Sequence, residues 1–280
     1  MKKIKNPIKT TGKDIKSLAL LANKILTNET PYSITKNLIF KKLFQKKINM
    51  FDADVIRSRL IVIDATYSTN FNKRYYGFDD LIKHFKEFGK TDSELSNSFK
   101  EFLNETSNKL LDNEKLFGIS KKGDVKGHGL SLISKYGYYL TKYKFPIYDS
   151  LAKEFLWKVN QNFDKNSIKK KDLSDCKKYF KIVQEVNDKL MIKDFDKLDN
   201  LLWLLGQINK GLFKSVISSK EKYQGLIKSL KVKDVNVKYT NQLKIKLIRK
   251  IKNNDVLEIR KYLSSDTIKF IKKANEYGFV

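Results

Sequence analysis

The sequence predicts an all-α protein, and three observations carry that expectation. Apolar residues recur at helical spacing along most of the chain, only three prolines interrupt its 280 residues, and no alternating run stands out as a strand with a partner. Apolar residues make up 41% of the chain and aromatics 12%, enough to bury a sizeable core in one large or two modest domains.

Taken in order, a basic leader, Met1 to Lys13, precedes Asp14 to Leu26. There Ile15, Leu18, Ala19, Leu21, Ala22, Ile25 and Leu26 form one apolar stripe. Pro31 and Ser33 start a second helix, expected over Ile34 to Ile48 with a lysine-rich outer face. Asp54 to Asn70 is ambiguous locally, because Leu60 to Ile63 reads as a buried strand or as part of a buried helix. The helical surroundings and the lack of a hairpin partner decide for helix. Phe78, Leu81, Ile82 and Phe85 predict an amphipathic helix to Phe88, and Thr91 and Asp92 are candidate caps for a helix over Ser93 to Leu111.

Beyond the central stretch, Tyr179, Phe180, Val183, Val186 and Leu190 set one side of a helix over Cys176 to Leu190. Phe195 to Leu205 forms another, expected to close at Gly206. Asn209 to Lys214 reads as a boundary, and Phe213 to Val280 is again helical, with basic clusters at Lys244 to Lys252 and Lys269 to Lys273. The expected organisation is therefore basic N-terminal helices over 1–50, a core over 51–211 and a basic helical extension over 212–280.

Charge narrows the function class. Against 31 Asp and Glu stand 58 Lys and Arg, a formal net charge of +27, far beyond what solubility requires. A polyanion is the leading partner, nucleic acid ahead of an anionic membrane surface. An AT-rich coding bias exchanges Arg for Lys but creates no excess over acids. One cysteine, Cys176, and two histidines, His84 and His128, exclude a disulfide framework, a Cys-rich zinc site and a cysteine-ligated iron–sulfur cluster within one chain. No metal and no cofactor is expected, and the setting is expected to be reducing and cytoplasmic, associated with the nucleoid. The leader lacks the apolar core of a signal peptide, and runs such as Leu201 to Leu205 are too short to span a bilayer.

The most informative stretch runs from Val125 to Phe155. Gly127 and Gly129 flank His128, and glycines so placed allow positive φ and a close approach of backbone amides to a phosphate. Leu130, Leu132, Ile133, Tyr136 and Leu140 then follow at helical spacing, so the turn leads into a helix N-terminus that favours an anion. Pro146 breaks the chain, and Asp149-Ser150 stands where a helix beginning Leu151-Ala152-Lys153 is capped. An aspartate at a helix start is more often a cap than a catalyst, so locally Asp149 reads first as a cap, with a reactive carboxylate as the alternative.

Val125-Lys126-Gly127-His128-Gly129 with its apolar helix, then Pro146-Ile147-Tyr148-Asp149 opening another, resembles the helix-hairpin-helix DNA glycosylase superfamily. That superfamily includes endonuclease III and the adenine-mismatch and 8-oxoguanine glycosylases. Asp149 lies twenty positions after Gly129, and an ungapped alignment brings hairpin and aspartate into register together. Upstream, Leu60 to Asn70 resembles the helix that ends in the family's wedge segment, with Tyr67 at the wedge position. The resemblance covers Asp54 to Gly206. It implies a helix-hairpin-helix glycosylase-like helical fold with N- and C-terminal helical extensions. It further implies that Lys126, Gly127, His128 and Gly129 grip a DNA phosphate, that Tyr67 fills the gap left by a flipped base, and that Asp149 drives the chemistry. Tyr67 as an ordinary residue at a helix end stays open beside the wedge.

Departures from the pattern shape the expected mechanism. Bifunctional members carry a lysine two residues after the second hairpin glycine, and this chain has Ser131, which forms no imine. The resemblance therefore implies a monofunctional glycosylase that uses water to cleave the N-glycosidic bond in base excision repair. Asp149 would stabilise the positive charge that builds on the deoxyribose and orient the water. Lys135, one turn beyond Ser131 on the same helix face, is expected at a phosphate. Tyr75, Tyr76, Tyr138, Tyr139, Tyr143 and Trp203 are open both as core residues and as stacking partners of a flipped base. The expected partner is double-stranded DNA, with no membrane and no metal cluster. The alternative is a non-catalytic helix-hairpin-helix DNA-binding protein, for example in phage defence, in which Asp149 only caps a helix.

Overall fold

Short polar side chains start the helices where the sequence places them. Thr11, Thr30, Asp52, Thr91, Asp149, Asp175 and Asp194 each accept a first-turn backbone N–H, a contact that stabilises a helix by about 1 kcal/mol. The computed structural model describes residues 10–28, 30–45, 52–104, 109–111, 117–124, 129–163, 168–192, 194–232 and 237–280. Among them run twelve α-helices and no strand; one isolated antiparallel bridge pairs Tyr75 with Ile119. In order these are α1 Gly12–Thr27, α2 Pro31–Ile39, α3 Ala53–Tyr67, α4 Gly77–Phe88, α5 Asp92–Leu103 and α6 Leu130–Leu140. There follow α7 Ser150–Asn160, α8 Cys176–Lys189, α9 Phe195–Asn209, α10 Lys220–Ser229, α11 Val237–Lys252 and α12 Ser265–Glu276.

Two helices organise the packing. In α6 every residue from Leu132 to Tyr139 is buried, and the helix lies against α3 and α5. Gly137 is what lets α5 approach, since a Cβ there would lie 2.5 Å from the Phe99 ring. The other is α9, which packs on α1 and α7, while α1 also touches α12. One apolar core therefore continues from Ile15 through the central helices to Phe279, joining the segments 1–50, 51–211 and 212–280.

Several element boundaries differ from the sequence expectation for identifiable reasons. The second helix begins at Pro31, which needs no N–H at a first-turn position, and continues past Ile39 as a wider turn over Phe40–Phe44. The fifth ends at Leu103 rather than Leu111; Asn104 takes its C-cap, and the chain beyond carries polar residues without an apolar stripe. Gly206 does not close α9, which runs on to Asn209. A Cβ at Gly206 would stand 3.0 Å from Leu151, so this glycine serves the packing of α9 on α7. Gly129 has φ −92°, not the positive φ expected of it. Its small size fits it against Phe71, whose ring would lie 3.0 Å from a Cβ. Val125, Lys126, Gly127 and His128 lie outside the described residues.

Candidate functional site

α3 ends at a loop whose shape is set by one buried carboxylate. Asp64 accepts hydrogen bonds from the Thr69 hydroxyl, from the Phe71 amide at 2.8 Å and from the Asn72 amide at 2.9 Å. Ser68 and Asn70 take left-handed backbone to allow this, at φ 51° and 59°. The result is that Thr66, Tyr67, Ser68 and Thr69 form one wall of a cavity of about 940 Å³. The sequence signal was an aspartate inside an apolar run, Ile61-Val62-Ile63-Asp64, which the helical reading left without a role.

The opposite wall comes from α6 and from the segment leading into α7. Ser134 Oγ accepts the Tyr148 amide at 2.9 Å, and the Tyr179 hydroxyl donates to the Ile147 carbonyl at 2.6 Å. These bonds pin the residues before Asp149. Asp149 itself is the N-cap of α7, and its Oδ1 accepts the Ala152 amide at 2.8 Å. Its Oδ2 turns the other way and lies 3.9 Å from Lys135 Nζ. Lys135 in turn donates to Ser131 Oγ at 2.7 Å, and its ammonium stands 5.5 Å from the centre of the Tyr67 ring. Tyr67, Ser131, Lys135 and Asp149 all line the cavity, although up to 82 positions separate them in sequence.

The electrostatics of this cluster are uneven. Lys135 is only 3% exposed, and burial lowers the pKa of its amine, opposed by the negative charges of Asp149 and Asp199. Asp149 keeps its side chain 23% exposed, so the carboxylate meets both the cavity and the amine. Burial raises the Tyr67 hydroxyl above its ordinary range; this hydroxyl bonds that of Tyr139. The ring is thus anchored at its tip, under the Lys135 ammonium, on the lining of the cavity.

The floor and mouth add aromatic and basic residues. Trp203 of α9 packs against Tyr32 of α2 with ring centres 4.3 Å apart, and both line the cavity. Tyr148 and Gln207 line it too, while Lys153, Lys210 and Lys214 bring three cationic groups. Lys210 and Lys214 are exposed. Of the other stacking candidates, Tyr138 and Tyr139 are buried, Tyr143 is packed against the core, and Tyr75 and Tyr76 are exposed away from the residues that line the cavity.

Another residue of this region that carried no role in the sequence reading is Asp199. Asp199 lies four residues before Trp203 and eight before Gln207, so all three share a face of α9. It is buried, and burial together with the charges of Asp149 and Asp196 pushes its carboxyl up to about 8, with Lys36 and Lys135 pulling the other way. The available signal was a carboxylate between Leu198 and the apolar run Leu201 to Leu205.

Fold and site together define an all-helical protein with a carboxylate, an amine and a hydroxyl gathered at a basic-mouthed cavity. The chain shows no significant match to protein-family models, to curated proteins or to solved structures. Among the described residues no helix is long and apolar enough to cross a membrane, and no group of three or more His, Cys, Asp or Glu is placed to hold a metal ion.

Proposed function

We propose that this chain is a helix-hairpin-helix glycosylase-like protein that binds duplex DNA, extrudes a damaged, mismatched or modified base and hydrolyses its N-glycosidic bond. The observation that carries the reading is the meeting of Tyr67, Ser131, Lys135 and Asp149 on one cavity of about 940 Å³. A cavity of that size holds an extruded nucleotide, and the lysines at its mouth suit the phosphates on either side. In the cleavage step the C1′–N bond breaks, the base leaves with the electron pair, and positive charge develops on the sugar. Asp149 Oδ2 faces that charge and takes a proton from the water that adds to C1′, the proton then passes to the departed base anion, and the Ala152 amide holds the other carboxylate oxygen in place. Tyr32 and Trp203 offer the base an aromatic face.

Two experiments test this reading. Duplexes carrying uracil, 8-oxoguanine, alkylated or phage-type modified bases are incubated with wild type and Asp149→Asn, and strand breakage after alkali is scored. Breakage with wild type, lost in Asp149→Asn, is the expected result; none with any duplex overturns the proposal. Borohydride treatment with abasic-site DNA is expected to give no covalent adduct, because Ser131 stands where an amine would be required. An adduct that disappears in Lys135→Met would instead assign imine chemistry to the buried amine.

The non-catalytic alternative draws on one observation, the Asp149–Ala152 hydrogen bond, which by itself makes Asp149 a sufficient helix cap. Under that reading the chain binds DNA with unchanged affinity in Asp149→Asn and releases no base.

A further inference from the structure

Away from the cavity, the turn between α3 and α4 presents two adjacent tyrosines to solvent on a tightly fixed backbone. Tyr75 and Ile119 exchange both backbone hydrogen bonds at 2.9 Å. The neighbouring Gly118 amide donates to Asp80 Oδ2 at 3.0 Å. Gly118 has φ +74°, and a Cβ on it would lie 2.7 Å from the Tyr75 carbonyl oxygen, so only glycine lets the two segments meet. On the other side Arg74 lies over the Phe71 ring at 4.4 Å and donates to the Phe117 carbonyl at 3.2 Å. Phe71 also packs at Gly129, where α6 begins.

The side chains on this frame behave differently from the frame. Tyr75 is 57% exposed and Tyr76 69%, with Ile119 beside Tyr75 across the bridge. Tyr76 holds left-handed backbone at φ 61° and occupies the N-cap of α4 without providing a side-chain cap. A glycine would relieve the first penalty and an asparagine would relieve both. The fold thus retains an exposed ring at a position where local stability argues against one, a pattern associated with functional sites. Among the described residues, exposed Lys73 stands two positions before Tyr75, and exposed Lys121 and Lys122 follow its bridge partner Ile119; the acids on the same segments are Asp124, which is exposed, Asp79, paired with Arg57, and Asp80, paired with the Gly118 amide.

We propose that Tyr75 and Tyr76 form a stacking platform for unpaired nucleobases, with Lys73, Lys121 and Lys122 holding the phosphates of the same strand. Aromatic faces carried on a fixed backbone with cations on the same segments are the chemistry that single-stranded nucleic acid requires, because every base has a π-face and every linkage a charge. A fully paired duplex offers no free face and gains only from the lysines. This inference rests on the nucleic-acid part of the reading above and is independent of base cleavage.

The test is fluorescence anisotropy with a labelled single-stranded oligodeoxynucleotide and the matching duplex, using the full chain. Tyr75→Ala/Tyr76→Ala is expected to weaken single-strand binding by about a hundredfold, tenfold or so per ring, and duplex binding by less than about threefold. Tyr75→Phe/Tyr76→Phe keeps both rings and is expected to bind as wild type. Tyr76→Gly separates fold from function, since its Tm should equal or exceed that of wild type while single-strand affinity falls about tenfold. Lys121→Ala/Lys122→Ala should weaken both ligands and lower the salt dependence of binding. The proposal is overturned if wild type does not bind the single strand, or if the double alanine variant binds it within about twofold of wild type. Either failure leaves base release from duplex DNA to be judged separately, and tyrosine-dependent binding without base release upholds the platform while removing the enzymatic reading.

Discussion

Two lysines, Lys36 and Lys135, are both buried beside an aspartate, and the difference between their surroundings separates structure from candidate chemistry. Lys36 of α2 is closed in. It pairs with Asp196, which also accepts the Tyr138 hydroxyl and an Asn200 amide, and its ammonium lies 4.7 Å from the centre of the Tyr143 ring and 5.3 Å from that of Tyr138. Arg59 is closed in likewise, with both terminal nitrogens on Asp92 at 2.7 and 2.9 Å and its Nε on the Leu43 carbonyl. Lys135 has a longer ion pair, 3.9 Å to Asp149; it donates to Ser131 Oγ at 2.7 Å and to the Ser131 carbonyl at 3.5 Å, stands 5.5 Å from the centre of the Tyr67 ring, and lines the cavity. Saturated pairs hold helices together. A loosely held pair on a cavity wall, with its amine buried and its carboxylate 23% exposed, is the arrangement the proposed function draws on.

That contrast can be broken by mutation. Arg59→Met is expected to have the largest effect, a loss of about 3–5 kcal/mol in urea unfolding, because it leaves Asp92 and the Leu43 carbonyl without their main partner. Lys36→Met should cost about 3 kcal/mol by the same reasoning, through Asp196 and Tyr138. Asp199 supplies a smaller, pH-dependent effect. Its carboxyl holds a proton in the fold up to about 8 against 3.8 as a free group, so between those values unfolding releases the proton and stability falls as pH rises. Urea midpoints between pH 5 and 8 should fall for wild type and fall less for Asp199→Asn. Lys135→Met should change stability least, within about 1 kcal/mol, since it removes a buried charge whose desolvation opposes folding while Asp149 keeps its cap. A Lys135→Met loss as large as that of Lys36→Met would erase the distinction between the two regions.

Much of the helical framework was legible because its signals are local. The stripe from Ile15 to Leu26, the run from Leu130 to Leu140 and the Asp149-Ser150 start each depend on residues within one or two turns. Tyr67, Ser131 and Asp149 stood out through the family resemblance, Lys135 as the residue one turn beyond Ser131 and Trp203 as one of several aromatic candidates, and all five line the cavity. What remained hidden depends on distant packing. Tyr32 reaches Trp203 only because α2 lies near α9; the small residue at Gly206 answers to Leu151 on another helix; Asp199 shifts because the packed chain buries it near Asp149 and Asp196. Spacing along one chain carries no information about such neighbours.

The central claim is that Asp149 is a reactive carboxylate as well as a cap. Asparagine at 149 keeps the cap and removes the charge, so one variant separates the two roles. The most direct measurement is alkali-revealed strand breakage on the modified-base panel, with Tm recorded for the same preparations. Asp149→Asn is expected to lose at least about a hundredfold in base release with Tm nearly unchanged. Equal breakage by wild type and Asp149→Asn, or no breakage by wild type on any duplex, would contradict it.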